Sequence, residues 1–175
     1  VLVVGAGVAG LATALRLAPL PVTVIAGSGL GTGAATALAQ GGIAAALGAD
    51  DAAEHHAADT LAAGAGLSEP DVALRVARAA SGAIDWLSGH DAPFDRDAGG
   101  ELLLGLEAAH CRRRIVHAGG DKTGFAVLET LIRAIGKAAH VTVTDNLRAD
   151  ALLQDGEGRV IGVTASTPSG ETVTL

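Results

Sequence analysis

Val1-Leu2-Val3-Val4-Gly5-Ala6-Gly7-Val8-Ala9-Gly10 opens the chain. An unbroken apolar run rich in valine is what a strand buried on both faces of a parallel sheet requires. Behind the glycines comes Leu11-Ala12-Thr13-Ala14-Leu15-Arg16-Leu17, rich in helix formers and ended near Pro19 and Pro21, which cannot continue a helix. Val22-Thr23-Val24-Ile25 then reads as a second strand. Strand, glycine turn, helix, strand is one βαβ unit. In that context Gly5-x-Gly7-x-x-Gly10 reads as a dinucleotide fingerprint. Gly5 allows the tight turn, Gly7 lets the backbone approach a pyrophosphate, and Gly10 lets helix and strand pack closely while helix N–H groups face the phosphates. The plain alternative is a tight turn with no ligand. An acidic residue that binds the adenosine ribose normally closes the second strand, but Ile25-Ala26-Gly27-Ser28 offers no carboxylate. That argues against an ordinary NAD site and leaves the ribose to backbone groups, water or Ser28.

Outward from this unit, Gly27 to Gly42 is mostly Gly, Ala, Ser and Thr without a clean period, as expected of a loop lying close to something else. Asp51 with Glu54 predicts a helix cap and an alanine-rich helix to Ala63. Ser68 and Asp71 repeat the pattern ahead of Val72, Val76, Ala80, Ile84 and Leu87, which recur at helical spacing. A third helix is expected from about Thr123, with Val127, Leu128, Leu131, Ile132 and Ile135 on one face. Val141-Thr142-Val143-Thr144 follows it and adds a third parallel strand. The period then changes: Ala151–Gln154 and Val160–Thr164 flank Asp155-Gly156-Glu157-Gly158, a hairpin signal, and Ser169-Gly170 introduces a last strand from Glu171 to Leu175. The expected fold is a Rossmann-like α/β domain over residues 1–175, with a parallel sheet, a helical insertion and an antiparallel β-meander.

Composition narrows the classes. The 175 residues are 49% hydrophobic, but with only two Phe and one Trp the core must be built from small side chains that let elements approach closely. A net charge of −7, with Arg112-Arg113-Arg114 as the one short basic run, gives no reason to expect nucleic acid or an anionic membrane as partner. The single cysteine, Cys111, forms no internal disulfide, so the default compartment is the cytoplasm. The opening apolar run stops at Gly5, far short of a membrane span or signal peptide. A first residue other than Met, and an end at Leu175 inside a strand-like run, lead us to expect further residues at both ends.

Three longer segments carry a specific resemblance: Ala39-Gln40-Gly41-Gly42-Ile43-Ala44, Asp59-Thr60-Leu61-Ala62-Ala63-Gly64-Ala65-Gly66-Leu67, and Arg113-Arg114-Ile115-Val116-His117-Ala118-Gly119-Gly120-Asp121-x-Thr123-Gly124. In order and spacing they resemble the L-aspartate oxidase family, within the wider succinate dehydrogenase and fumarate reductase flavoprotein group. The resemblance covers nearly the whole chain and implies an FAD-binding domain. It places the FAD pyrophosphate on Gly5, Ala6, Gly7, Val8, Ala9 and Gly10. It lays Ala35, Thr36, Ala37, Leu38, Ala39, Gln40, Gly41 and Gly42 along the ribityl chain and isoalloxazine, where small residues and N–H donors suit reduced flavin. Ala149 resembles the backbone position that touches adenine. Many relatives in the wider group attach FAD through a histidine just before the Gly-Gly turn; the equivalent position here is Ala35, so the resemblance implies non-covalent FAD.

Glu107 lies in Leu104-Gly105-Leu106-Glu107-Ala108-Ala109-His110, similar to a family segment closer to Thr-Arg-Glu-Gly-Gly-His. The Glu and His are kept while the Thr, Arg and both Gly are replaced. A carboxylate there would bind the substrate ammonium, the group that distinguishes aspartate from succinate or fumarate; its plain alternative is a surface Glu. His117, and His110 on the other side of the arginine run, would stabilise substrate or flavin charge or else be ordinary core residues. Arg112 to Arg114 pair with acidic groups or face solvent. His55, His56 and Asp59 do not make a metal site, because adjacent histidines on a helix point about 100° apart. Cys111 lacks an activating partner and is read as structural.

The implied reaction oxidises L-aspartate to iminoaspartate with oxygen or fumarate as acceptor, and iminoaspartate feeds quinolinate formation in NAD biosynthesis, with handover to quinolinate synthase. The family's catalytic arginine and carboxylate clamp lie in a later capping domain, past Leu175. Two alternatives stay open: a succinate dehydrogenase or fumarate reductase type of flavoprotein, and a non-catalytic FAD-binding module.

Overall fold

The computed structural model describes residues 1–175, which divide into two compact units: Val1–Leu38 with Leu128–Leu175, and Ala39–Val127.

In the first unit, strand β1 (Leu2–Val4), helix α1 (Val8–Arg16) and strand β2 (Val22–Ile25) form the expected βαβ unit. The helix starts three residues earlier than its apolar run, with Gly7 as its extended N-cap and Gly10 already within its first turn. Leu11 and Ala14 are fully buried. After a glycine-rich loop, Ala35–Leu38 form a single 3-10 turn, a local structure that the patternless run did not announce. Further along the chain, β3 (Ile43–Ala44), α2 (Ala53–Ala63), α3 (Pro70–Ser88), β4 (Leu104–Gly105), β5 (Ile115–Val116) and α4 (Thr123–Lys137) follow. The division between the units falls within α4. Then come β6 (Val141–Thr144), β7 (Arg148–Gln154), β8 (Val160–Ser166) and β9 (Thr172–Thr174).

The parallel sheet runs β1-β2-β6, with Val3 beside Val24 and Val24 beside Val143. β2 is the central strand, and Val22, Val24 and Ile25 are buried. β1 was expected to be buried on both faces; it is an edge strand of this sheet, and Val4 is 54% exposed. The antiparallel meander β7-β8-β9 forms as expected, with longer strands than the hairpin signal marked. Ile25 packs with Leu147, Val163 and Ala165, so the meander closes on the end of the parallel sheet's central strand.

The second unit pairs α2 with α3 through alanines: Ala57 against Ala73 and Ala77. This corrects the expected apolar stripe of α3. Val72 and Val76 are 44% and 60% exposed, whereas Ala73, Ala77, Ala80, Ile84 and Leu87 are buried. Close helix approach selects the small side chains and turns the valines out. Both expected caps are also corrected. The N-caps are Ala52 and Glu69, neither with a side-chain cap bond, and Pro70 fixes the first turn of α3. Asp51 is drawn away to Arg114, and Glu54 pairs with Arg78 of α3 at 2.8 Å. A small antiparallel sheet, β3-β5-β4, completes this unit. Its strands have two residues each, too few for a period to show.

Candidate functional site

In the first unit the glycine turn is built as the fingerprint requires. Gly5 has a φ of +104°, and its N–H donates to the Ile25 carbonyl at 2.8 Å, tying the turn to the end of β2. A Cβ on Gly10 would run into the Gly5 carbonyl oxygen, so only glycine lets α1 begin this close to β1. Gly7 is the N-cap of α1 and has no side chain to cap it. The Val8 N–H instead donates to the Thr36 hydroxyl at 3.1 Å, and a Cβ on Gly7 would lie 3.2 Å from that same oxygen.

Around this turn opens a groove of about 430 Å³, lined by Gly5 to Ala9, by Ala26 to Gly29, and by Gly31 to Thr36. Its wall holds no charged side chain, and it carries the positive end of α1. A glycine cradle at a helix N-terminus fits a pyrophosphate. Ser28, one candidate for the ribose, donates its hydroxyl to the Thr32 carbonyl at 2.6 Å and is turned into its own loop. A carboxylate does reach this loop, from the next strand rather than from β2: Asp145, just after β6, accepts the Leu30 N–H at 3.3 Å.

Of the sequence-assigned cofactor residues, Gly5, Ala6, Gly7, Val8, Ala9, Ala35 and Thr36 line this groove, and Gly10 stands behind it. Ala37 and Leu38 continue the 3-10 turn off its wall, with Leu38 81% exposed. Ala149 sits in β7, packed against the Ile25 and Leu147 cluster. The other four residues belong to the second unit. There the Ala39 carbonyl accepts the Gly124 N–H at 3.0 Å, Gln40 lines a pocket, Gly41 has open space beside it, and Gly42 packs on Ile115 and Val116.

That pocket, of about 500 Å³, brings Glu107 and His117 together with Gln40, Asp95, Gly105 and Asp121. The His117 Nε2–H donates to Glu107 Oε1 at 3.0 Å, with Glu107 about half exposed. Sequence reading missed Asp95. Its carboxylate accepts the N–H groups of Gly119 at 2.9 Å and Gly120 at 3.3 Å, and its own N–H donates to the His117 carbonyl at 2.8 Å. Gly119 and Gly120 have φ of +60° and +73°. Successive left-handed residues aim their N–H groups at one anion. The Gly-Gly pair was the available signal that an acceptor had to exist.

His110 goes elsewhere. Its Nδ1 lies 3.2 Å from Nη1 of Arg114, which is fully buried. Arg114 donates through Nε and Nη2 to both oxygens of Asp51, at 2.8 and 2.9 Å, and through Nη1 to Asp59 at 2.6 Å. The Cys111 N–H, at 2.8 Å, and the Arg114 guanidinium together hold the Asp59 pKa down to about 2. Burial pushes the Asp51 carboxyl up, but bonds from Arg114 and the Ala52 N–H outweigh it and leave the group below its ordinary range. Burial and the Arg114 charge lower His56, whose Nδ1 has no partner. Of the basic run, Arg112 reaches Asp50 at 3.7 Å and Arg113 is exposed. Asp59 is therefore part of an ion-pair network, and no three His, Cys, Asp or Glu side chains gather as a metal site. No helix is long and apolar enough to cross a membrane.

A parallel sheet, a glycine turn at a helix N-terminus and an uncharged groove define a dinucleotide-binding domain. The family model of the FAD binding domain matches residues 1–175; the chain belongs to that family, and FAD is its cofactor. It is 48% identical over 161 residues to the L-aspartate oxidase of Mesorhizobium japonicum, a match covering 92% of this chain and 31% of the relative. To the L-aspartate oxidase of Streptomyces coelicolor it is 45% identical, over 94% of this chain and 28% of the relative. The chain thus spans about a third of the length of the curated relatives it matches. Among solved structures, a quinol-fumarate reductase with menaquinol molecules aligns with a TM-score of 0.89 at 29% identity, over 99% of this chain and 30% of that one. Mycobacterium smegmatis Sdh1 in complex with UQ1 aligns with a TM-score of 0.89 at 28% identity, over 99% and 31%.

Proposed function

We propose that residues 1–175 are the FAD-binding part of an L-aspartate oxidase, whose complete chain oxidises L-aspartate to iminoaspartate with oxygen or fumarate as acceptor. The observation that carries this reading is the Glu107 carboxylate held by His117 in a pocket of the second unit, in a chain 40–48% identical to several proteins named L-aspartate oxidase. FAD supplies the two-electron acceptor. The chain's own residues hold and orient. Backbone N–H groups of the first turn of α1 receive the pyrophosphate, with Thr36 closing that turn. Glu107 receives the substrate ammonium, and His117 keeps the carboxylate in place. Ala35 has only a methyl group to offer, which supports non-covalent attachment. A cytoplasmic location, a role in NAD biosynthesis and handover of iminoaspartate to quinolinate synthase belong to the same proposal.

A fumarate reductase or succinate dehydrogenase activity is the second reading, favoured by the structural likeness. Glu107 separates the two, because neither succinate nor fumarate has an ammonium to bind. A charge-assisted contact is worth about 1.5–3 kcal/mol, so Glu107→Gln in the complete protein should lower kcat/KM for aspartate by about ten- to a hundredfold. Inhibition by succinate should stay as it was. An equal loss for both ligands would remove Glu107 from ammonium recognition, and no loss for either would return it to the surface.

A further inference from the structure

Past the end of β2, the groove around the glycine turn meets a second pocket of about 600 Å³, and Gly27 lies on the wall of both. The second pocket is polar, with Asn146, Arg148, Asp150, Ser166 and Thr167 on its sides. Main-chain bonds fix its place. The Leu147 N–H donates to the Ala26 carbonyl at 2.7 Å and the Asn146 N–H to the Ser28 carbonyl at 3.4 Å, which ties the start of β7 to the segment after β2. In a βαβ nucleotide site the pyrophosphate sits at the helix N-terminus and the ribose at the end of the second strand. The base, one step further from the phosphates, then falls on the far side of Gly27. What stands there is a guanidinium held at two points. Arg148 donates through Nε to Asp150 at 3.1 Å and through Nη2 to the Ser166 hydroxyl at 3.4 Å. Ser166 is its register partner on β8, whereas Asp150 has no register partner, because the pairing passes from Ala149 to Ala151. A bulge of this kind re-aims a side chain, and the residue re-aimed here is the one that fixes Arg148. A planar guanidinium stacks on the face of a heteroaromatic ring, and holding it in place beforehand reduces the entropy lost on contact.

We propose that the Arg148 side chain is a platform for the adenine ring of FAD, and that Asp150 is the residue that positions it. Together they supply the adenosine recognition that β2, which ends without a carboxylate, does not. The proposal rests on the placement of the pyrophosphate at α1 given above, and not on which substrate the flavin oxidises.

The test follows flavin release as the complete holoprotein is diluted, read as the rise of free-flavin fluorescence, with ADP and inorganic pyrophosphate as competitors. A cation on a ring face contributes from about threefold when exposed to about thirtyfold when desolvated. Arg148→Ala should therefore raise the Kd for FAD and for ADP by one common factor within that range. Pyrophosphate has no base, so its inhibition constant should be unchanged. Arg148→Lys keeps the charge without the plane and should recover little of the loss. Asp150→Ala should weaken FAD and ADP by less than Arg148→Ala does, and should add less than about twofold beside it, as expected of a residue acting through its neighbour. An unchanged Kd for FAD in Arg148→Ala overturns the proposal. So does an equal loss for pyrophosphate, or full recovery in Arg148→Lys, since either would make Arg148 a charge facing the phosphates rather than a surface facing the base. Effects of Asp150→Ala and Arg148→Ala that multiply would refute the positioning role. Failure of the α1 placement would show separately, as full FAD retention by Gly10→Ala.

Discussion

Replacing Asp59 by Asn removes one of the two carboxylates that hold the buried Arg114 guanidinium while keeping an oxygen for the Cys111 N–H. The Asp59 side chain is 17% exposed, so solvent screens the pair little. Its pKa falls from 3.8 to about 2 on folding. At about 1.4 kcal/mol per unit, this is a contribution of about 2–3 kcal/mol in favour of the ionised native state. A depressed carboxylate pKa stabilises fully above the unfolded value and loses its effect as pH falls through the folded one. Urea unfolding of the complete protein and of Asp59→Asn, followed by circular dichroism at pH values from 7 down to 2, should therefore show a gap of about 2–3 kcal/mol at neutral pH. The gap should begin to close below about pH 4 and be nearly gone by about pH 2. A gap that stays constant with pH, or none at pH 7, would refute the assignment of this stability to the Asp59 charge.

Gly10→Ala drives a Cβ into the Gly5 carbonyl oxygen and should yield protein with little retained FAD, measured as the ratio of flavin to protein absorbance; a stoichiometric ratio would contradict the packing argument. Acid precipitation of the complete holoprotein should leave the yellow chromophore in the supernatant, and flavin in the pellet would contradict non-covalent binding. Asp95→Asn leaves one acceptor oxygen for two N–H groups, at Gly119 and Gly120. It should raise the aspartate KM several-fold by loosening the turn after His117, and an unchanged KM would show that the turn holds itself.

The βαβ unit was legible because each of its parts depends on local chemistry. Valine runs make strands, the spaced glycines permit one turn, and the two prolines end one helix. β2 and β6 lie where their β-branched residues placed them. What the sequence concealed depends on partners distant in the chain. Asp51 with Glu54 has the spacing of a cap, yet Asp51 meets Arg114, 63 residues away, and a buried guanidinium outcompetes a helix end for a carboxylate. In α3, Val72 and Ala73 are neighbours that both fit a helical stripe; only the approach of Ala57 from α2 decides that alanine faces in. In the candidate pocket, Glu107 and His117 were named from the family pattern. Their direct contact and the Asp95 clamp on Gly119 and Gly120 depend on residues that the sequence keeps ten or more positions apart.

Anaerobic mixing of the complete FAD-loaded protein with L-aspartate bears most directly on the proposed activity. The flavin absorbance should bleach at a rate that saturates with aspartate, fumarate should restore it, and D-aspartate and succinate should leave the spectrum unchanged. A flavin that stays oxidised with L-aspartate but bleaches with succinate would contradict the aspartate oxidase reading and assign the pocket around Glu107 to a succinate-oxidising enzyme.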